Sequence, residues 1–192
     1  MEYSMIHTKQ KPPVSSSVLG VIMAIVVELM FFGGLISAFV LAQAGQVEWP
    51  PSDQPRLPFW FTFGNMLILL VSAYFMWMAI KNAKEGRKSY ALFITLFLGI
   101  LFFLIQGYEW MRILLFGMET SHSLFTSFFY TIIGLHGFHV FIGLMLLGYV
   151  FYKIKQLKEK DNISNYILTV GIFWFFVVAL WPVLYYLIYW VR

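Results

Sequence analysis

The sequence predicts an all-α fold, a polytopic membrane protein built as a bundle of five transmembrane helices, and three observations carry that prediction. The 192-residue chain contains five apolar runs, each of about twenty residues or more. That is the length a helix rising about 1.5 Å per residue needs to cross ~30 Å of hydrocarbon. Charged residues make up 11% of the chain and hydrophobic residues 60%. A water-facing surface would need far more charge, about a quarter of all residues. Finally, ten of the thirteen Lys and Arg residues fall on one side if five helices alternate direction.

Residues 1–17 are polar, carry Lys9 and Lys11 and include Pro12 and Pro13; a cytoplasmic tail is expected. Residues 18–192 form a single transmembrane domain. The first helix is expected at 18–41, with Glu28 as its one charge. Ala42-Gln43-Ala44 looks like a signal-peptidase site, but the preceding run is longer than the roughly 7–15 residues of a signal's apolar core. The helix is therefore expected to be retained. A loop rich in proline (Pro50, Pro51, Pro55, Pro58) follows, where no helix can continue. The second helix is expected at 59–80, ahead of Lys81, Lys84, Arg87 and Lys88, and the third at 90–111, with Gln106 and Glu109 near its end. The fourth, at 123–152, carries His136 and His139; the fifth spans 165–190.

Orientation follows from the cations. The amino-terminal tail and the connectors after helices two and four hold ten of them, leaving Arg56, Arg112 and Arg192 on the other face. Positive residues stay in the cytoplasm, so the amino terminus is expected inside and the carboxyl terminus outside, in the periplasm. Trp49, Phe59, Trp60, Tyr108, Trp110, Tyr185, Tyr186, Tyr189 and Trp190 cluster at the outer ends, as an interfacial belt would. The same placement of charge in short loops argues against nucleic-acid binding despite a pI near 9.2. The chain has no cysteine, which excludes disulfides, thiolate metal sites and iron–sulfur clusters.

Ionisable groups in hydrocarbon are costly and face protein or a water-lined cavity. Glu28 sits near mid-membrane and needs a proton or a partner there; a proton relay, a lipid contact and a hydrogen bond to a neighbouring helix all fit. His136 and His139 lie three residues apart on nearly one helix face. A metal site wants three or more protein ligands, and no other span contains a histidine, so the pair points to a polar seam between helices. By axial rise, Gln106 matches the depth of His136 and Glu28 that of His139. These are expected to pair across helices, with Glu109 nearer water. Gly134 and Gly137, and likewise Gly33 and Gly34, would let helices approach closely. Trp174 and Trp181, one heptad apart, are expected to pack.

Several segments together resemble subunit III of the heme-copper respiratory oxidases, the cytochrome c and quinol oxidases. Glu28-Leu29-Met30-Phe31-Phe32 resembles that family's Glu–x–Met–Phe–Phe segment, and Trp49-Pro50-Pro51 its following loop. Gln106-Gly107-Tyr108-Glu109-Trp110 resembles its Gln–x–x–Glu–Tyr/Trp element. The most specific match is FYTIIGLHGFHVFIGL, residues 129–144, against Phe–x–x–Thr–Gly–x–His–Gly–x–His–Val–x–x–Gly. The resemblance covers residues 18–190 and implies the short, five-helix form. It implies an accessory subunit of an oxidoreductase, without an active site, heme or copper of its own; heme and copper belong to partner subunits. It also implies packing beside catalytic subunit I in a bacterial cytoplasmic (inner) membrane, in company with subunit II and a small subunit IV or a larger supercomplex. Bound phospholipid and support of oxygen reduction coupled to proton translocation are further implications. The position of Glu28 is that of the family's carbodiimide-reactive carboxyl. Glu28, Gln106, Glu109, His136 and His139 are thus expected to serve lipid contact or helix pairing, with no catalytic, cofactor or metal ligand among them.

One departure stands out. The family's last helix carries Trp–His–Phe–x–Asp–x–x–x–Trp, whereas here Phe175 replaces the His and Val178 the Asp. A divergent branch, such as a component of a nitric oxide reductase or of an unusual oxidase supercomplex, is the alternative this raises. Two rivals come from other classes. A small proton or solute transporter would need a water-lined path and usually repeat symmetry, and no repeat is visible. A heme-binding electron carrier would need an intramembrane histidine on a facing helix, which the sequence lacks.

Overall fold

The computed structural model describes residues 15–47, 49, 59–87, 89–115, 124–156 and 160–190. The tail up to residue 14, the proline-rich loop at 50–58 with Arg56, Lys88, residues 116–123 and 157–159, and Arg192 lie outside the described residues. All regular structure there is helical: α1 (Ser16–Ala44), α2 (Phe59–Lys84), α3 (Ala91–Leu115), α4 (Leu124–Gln156) and α5 (Lys160–Tyr185), the last passing into a π-helical turn at Tyr186–Trp190. All five helices are long and apolar enough to cross a membrane.

The helices run past their apolar cores by up to a turn or so. Hydrocarbon limits how many residues must be apolar, not where backbone hydrogen bonding stops. The ends are closed by local chemistry. At the end of α2, Gly86 takes φ 67°, and its N–H and that of Arg87 donate to the carbonyls of Ala83 (3.1 Å) and Asn82 (2.9 Å). This is the pair of bonds that closes a helix through a left-handed glycine. Lys81 lies over the Trp77 ring at 5.6 Å, and Lys153 over Tyr149 at 5.7 Å, their stems covering apolar surface while the ammonium ends reach outward. In α5, Pro182 lies inside the helix, where it cannot donate to Val178.

The centre of the bundle is α5, which packs against α1, α2 and α4, while α3 lies against α2 and α4. Trp174, Val177, Trp181 and Leu184 of α5 are fully buried. Apolar contact gives helices no net driving force against lipid, so close packing must hold them. Glycines supply the room. A Cβ on Gly99 (α3) would stand 2.8 Å from the Trp174 ring, and one on Gly143 (α4) 2.9 Å from its other edge. The Trp174 indole thus fills a slot between two glycine-bearing helices. Gly137 similarly accepts the Trp110 ring, 2.7 Å from where its Cβ would be.

Three sequence-based expectations are corrected here. Nothing lies within 4 Å of a Cβ on Gly33, Gly34 or Gly134, so those glycines allow no close approach within this chain; an indole, not a helix backbone, fills the space at Gly137. Tyr185 and Tyr189 do not belong to an interfacial belt: they stack at 5.3 Å in the core, because they lie on the face of α5 that carries Trp174 and Trp181. Trp60, Tyr108, Tyr186 and Trp190 do face outward.

By contrast, α1 sits at the margin. Over 29 residues it buries only Val18, Phe32 and Phe39. Its Ala42-Gln43-Ala44 segment is part of one continuous helix.

Candidate functional site: the intramembrane polar groups

The polar residues of the spans gather in two separate places. The first lies between α1 and α4. Phe32 and Phe39 are buried on the inner face of α1, and Glu28, one turn before Phe32, lies on that same face toward α4. Its Oε2 is 3.1 Å from Nε2 of His139, and Phe32 meets the imidazole edge-on at 5.3 Å. The other ring nitrogen, Nδ1, is 2.7 Å from the carbonyl oxygen of Leu135. A carbonyl only accepts, so Nδ1 carries a proton. The contact between Nε2 and Glu28 then holds one shared proton, as carboxyl with imidazole or carboxylate with imidazolium. Both forms are neutral overall, which is what a site in hydrocarbon requires. The Glu28 side chain is 31% exposed at the bundle surface and that of His139 only 9%.

The second lies between α2 and α3. The carboxyl of Glu109 accepts from the Thr62 hydroxyl and, at 2.8 Å, from the Gln106 amide. Asn65 in turn donates to Gln106 Oε1 (3.1 Å) and to the Phe102 carbonyl (3.2 Å). All four side chains are buried. Glu109 is therefore sealed in protein rather than near water. Gln106 bonds across to α2 and not to His136. Depth along two helices says nothing about the direction around them, and the i, i+3 pair of α3 faces α2.

His136 lies elsewhere again. It is 1% exposed and stacks on Trp181 of α5, with centroids 4.9 Å apart and planes 21° from parallel. Neither ring nitrogen has a hydrogen-bond partner among the described residues. A smaller contact joins α5 to α2, where the Trp174 indole N–H donates to Ser72 at 3.1 Å, and Ser72 donates to the Leu69 carbonyl at 2.6 Å. Val178, where the resembled family carries Asp, is buried one turn before Trp181, and Phe175 is partly buried.

Thr62, Asn65 and Ser72 are the polar members that sequence reasoning passed over. Small uncharged polar groups do not interrupt an apolar run. The available signal was Asn65, an amide well inside a span, with Thr62 three residues earlier on the same face. Among the described residues no three His, Cys, Asp or Glu side chains converge as a metal site would need.

Residues 2–192 match the family model described as cytochrome c oxidase subunit III. A probable cytochrome c oxidase subunit 3 from Mycobacterium leprae is 31% identical, the alignment covering 98% of this chain and 94% of that protein. Cytochrome c oxidase subunit 3 from Synechocystis is 31% identical over 88% of this chain and 73% of its own length. The namesake from Thermostichus vulcanus is 33% identical over 90% and 86%.

Proposed function

The chain belongs to the cytochrome c oxidase subunit III family, and on that premise we propose that it is a non-catalytic, cofactor-free subunit of a heme-copper terminal oxidase. In this reading it packs beside the heme-bearing catalytic subunit I, stabilises it, binds phospholipid, and lies in a bacterial inner membrane with its amino terminus in the cytoplasm. The observation that carries the proposal is the disposition of the ionisable groups. Glu28 and His139 neutralise each other between α1 and α4. Glu109 is tied up by Thr62 and Gln106. His136 is closed in against Trp181. Glu28, His139 and Glu109 thus join neighbouring helices and His136 is enclosed between α4 and α5, which suits a subunit that supports chemistry done elsewhere. The partly exposed Glu28 at the bundle surface also suits a contact with lipid.

The orientation is supported by the distribution of cations, ten of the thirteen Lys and Arg falling on the face assigned to the cytoplasm. The test is isolation of the tagged chain in mild detergent. Co-purification with a heme-bearing polytopic partner is expected, and so is the absence of any heme absorbance once the chain is separated from it. A chain that purifies alone with stoichiometric heme refutes the assignment.

A further inference from the structure

Several buried polar atoms near the middle of the bundle have no hydrogen-bond partner among the described residues. They are both ring nitrogens of His136, Nε1 of Trp181 and Oδ1 of Asn65. Their residues are joined by short contacts. His136 stacks on Trp181; the Phe102 ring meets Trp181 edge-on at 5.5 Å; and the Phe102 carbonyl accepts from Asn65 at 3.2 Å. None of the three is more than 2% exposed, so neither lipid nor bulk water serves them. Leaving such atoms bare carries the full desolvation penalty of each.

The imidazole and the indole cannot serve each other. Their rings lie nearly parallel at 21°, and N–H bonds and ring lone pairs point within the ring plane, so neither ring can direct a hydrogen bond at the other. Their chemistry is complementary to a third body: the indole only donates, a neutral imidazole offers one donor and one acceptor, and the amide oxygen only accepts. A small neutral molecule that both donates and accepts meets that set. No cation is suited, since no carboxylate is left over, and an anion would find no charge to balance it.

We propose that the bundle holds an ordered internal water bound by His136 and Trp181, with Asn65 Oδ1 completing its shell. The water accepts from the Trp181 N–H and donates to one imidazole nitrogen and to the amide oxygen. Buried waters characteristically make about three such bonds. It also joins the Thr62–Glu109–Gln106–Asn65 chain of α2 and α3 to α4 and α5, so that four helices share one polar network.

A cryo-EM map of the assembled oxidase, at a resolution that shows ordered waters, tests this directly. Density is expected within about 3.2 Å of both a His136 nitrogen and Trp181 Nε1; an empty map at that position overturns the proposal. Thermal unfolding gives a second readout, which also covers variants that fold poorly. His136→Phe keeps a ring in the stack while deleting both ring nitrogens. If water is bound, the variant lowers the midpoint. A midpoint unchanged or raised means the nitrogens were bare, and the idea fails.

Discussion

Substituting alanine for glycine at two places in this bundle should have opposite effects. At Gly99 the new Cβ would stand 2.8 Å from Trp174 Cη2, 2.9 Å from Cζ2 and 2.8 Å from Leu144 Cδ2. Leu144 can swing its methyl aside. Trp174 cannot. It is fully buried, its N–H is held by Ser72, and its far edge already rests on Gly143, where a Cβ would be 2.9 Å away. Overpacking of this kind costs about 1–3 kcal/mol, against a gain of up to about 1 kcal/mol from replacing glycine in a helix. At Gly134 no atom lies within 4 Å, and only the gain applies. The difference between the two variants cancels the propensity contribution and leaves the clash, about 1–3 kcal/mol. At roughly 2–4 °C per kcal/mol for a chain of this size, Gly99→Ala should unfold several degrees below Gly134→Ala. The measurement is the thermal midpoint in detergent, followed by tryptophan fluorescence. Equal midpoints would show that Trp174 is not wedged between α3 and α4, and the account of the packing would fall with it.

Other predictions rest on the polar groups and the helix ends. Glu109→Leu strands the Gln106 amide N–H in the core and should cost about 1–3 kcal/mol. Glu109→Gln, which can still accept from Thr62, should lose less in the same unfolding assay. An apolar carbodiimide needs a protonated carboxyl that it can reach from lipid. It should therefore label Glu28, which shares a proton with His139 and is 31% exposed, and leave Glu109 unmodified at 3% exposure; peptide mapping by mass spectrometry decides, and labelling that survives Glu28→Gln would count against it. Gly86→Ala forces a Cβ into a φ of 67° at a cost of about 1–2 kcal/mol. The expected sign is faster proteolysis or hydrogen exchange near residues 82–87, with the membrane core unaffected.

The span pattern was legible because lipid demands uninterrupted apolar length, and length can be counted. Which way each helix faces was not, because lipid and protein core both ask for apolar side chains. Met30 and Leu41 of α1 face outward, whereas Val177 and Leu184 of α5 are fully buried; composition does not separate them. The polar groups show the same division. Counting axial rise set Glu28 level with His139, and the two are 3.1 Å apart. The same count set Gln106 level with His136, yet Gln106 turns to Asn65. Rise fixes height, and only the neighbouring side chains fix rotation.

That distinction bears most on α1. A helix that buries three residues in 29 gains little from apolar contact that lipid would not equally provide. Contacts of that kind cannot choose its rotation. A carboxyl can, because turning the helix by one residue, about 100°, would carry Glu28 away from His139 and strand both groups in hydrocarbon. The Glu28–His139 pair therefore sets which face α1 turns outward, with Phe32 packed against the imidazole to hold the register. The outward face carries the exposed Met23, Met30 and Leu41 together with Gly33 and Gly34, where an added Cβ would meet nothing within 4 Å. Exchanging Glu28 for an apolar residue should thus alter what the subunit presents to its surroundings before it alters the packing of the other four helices.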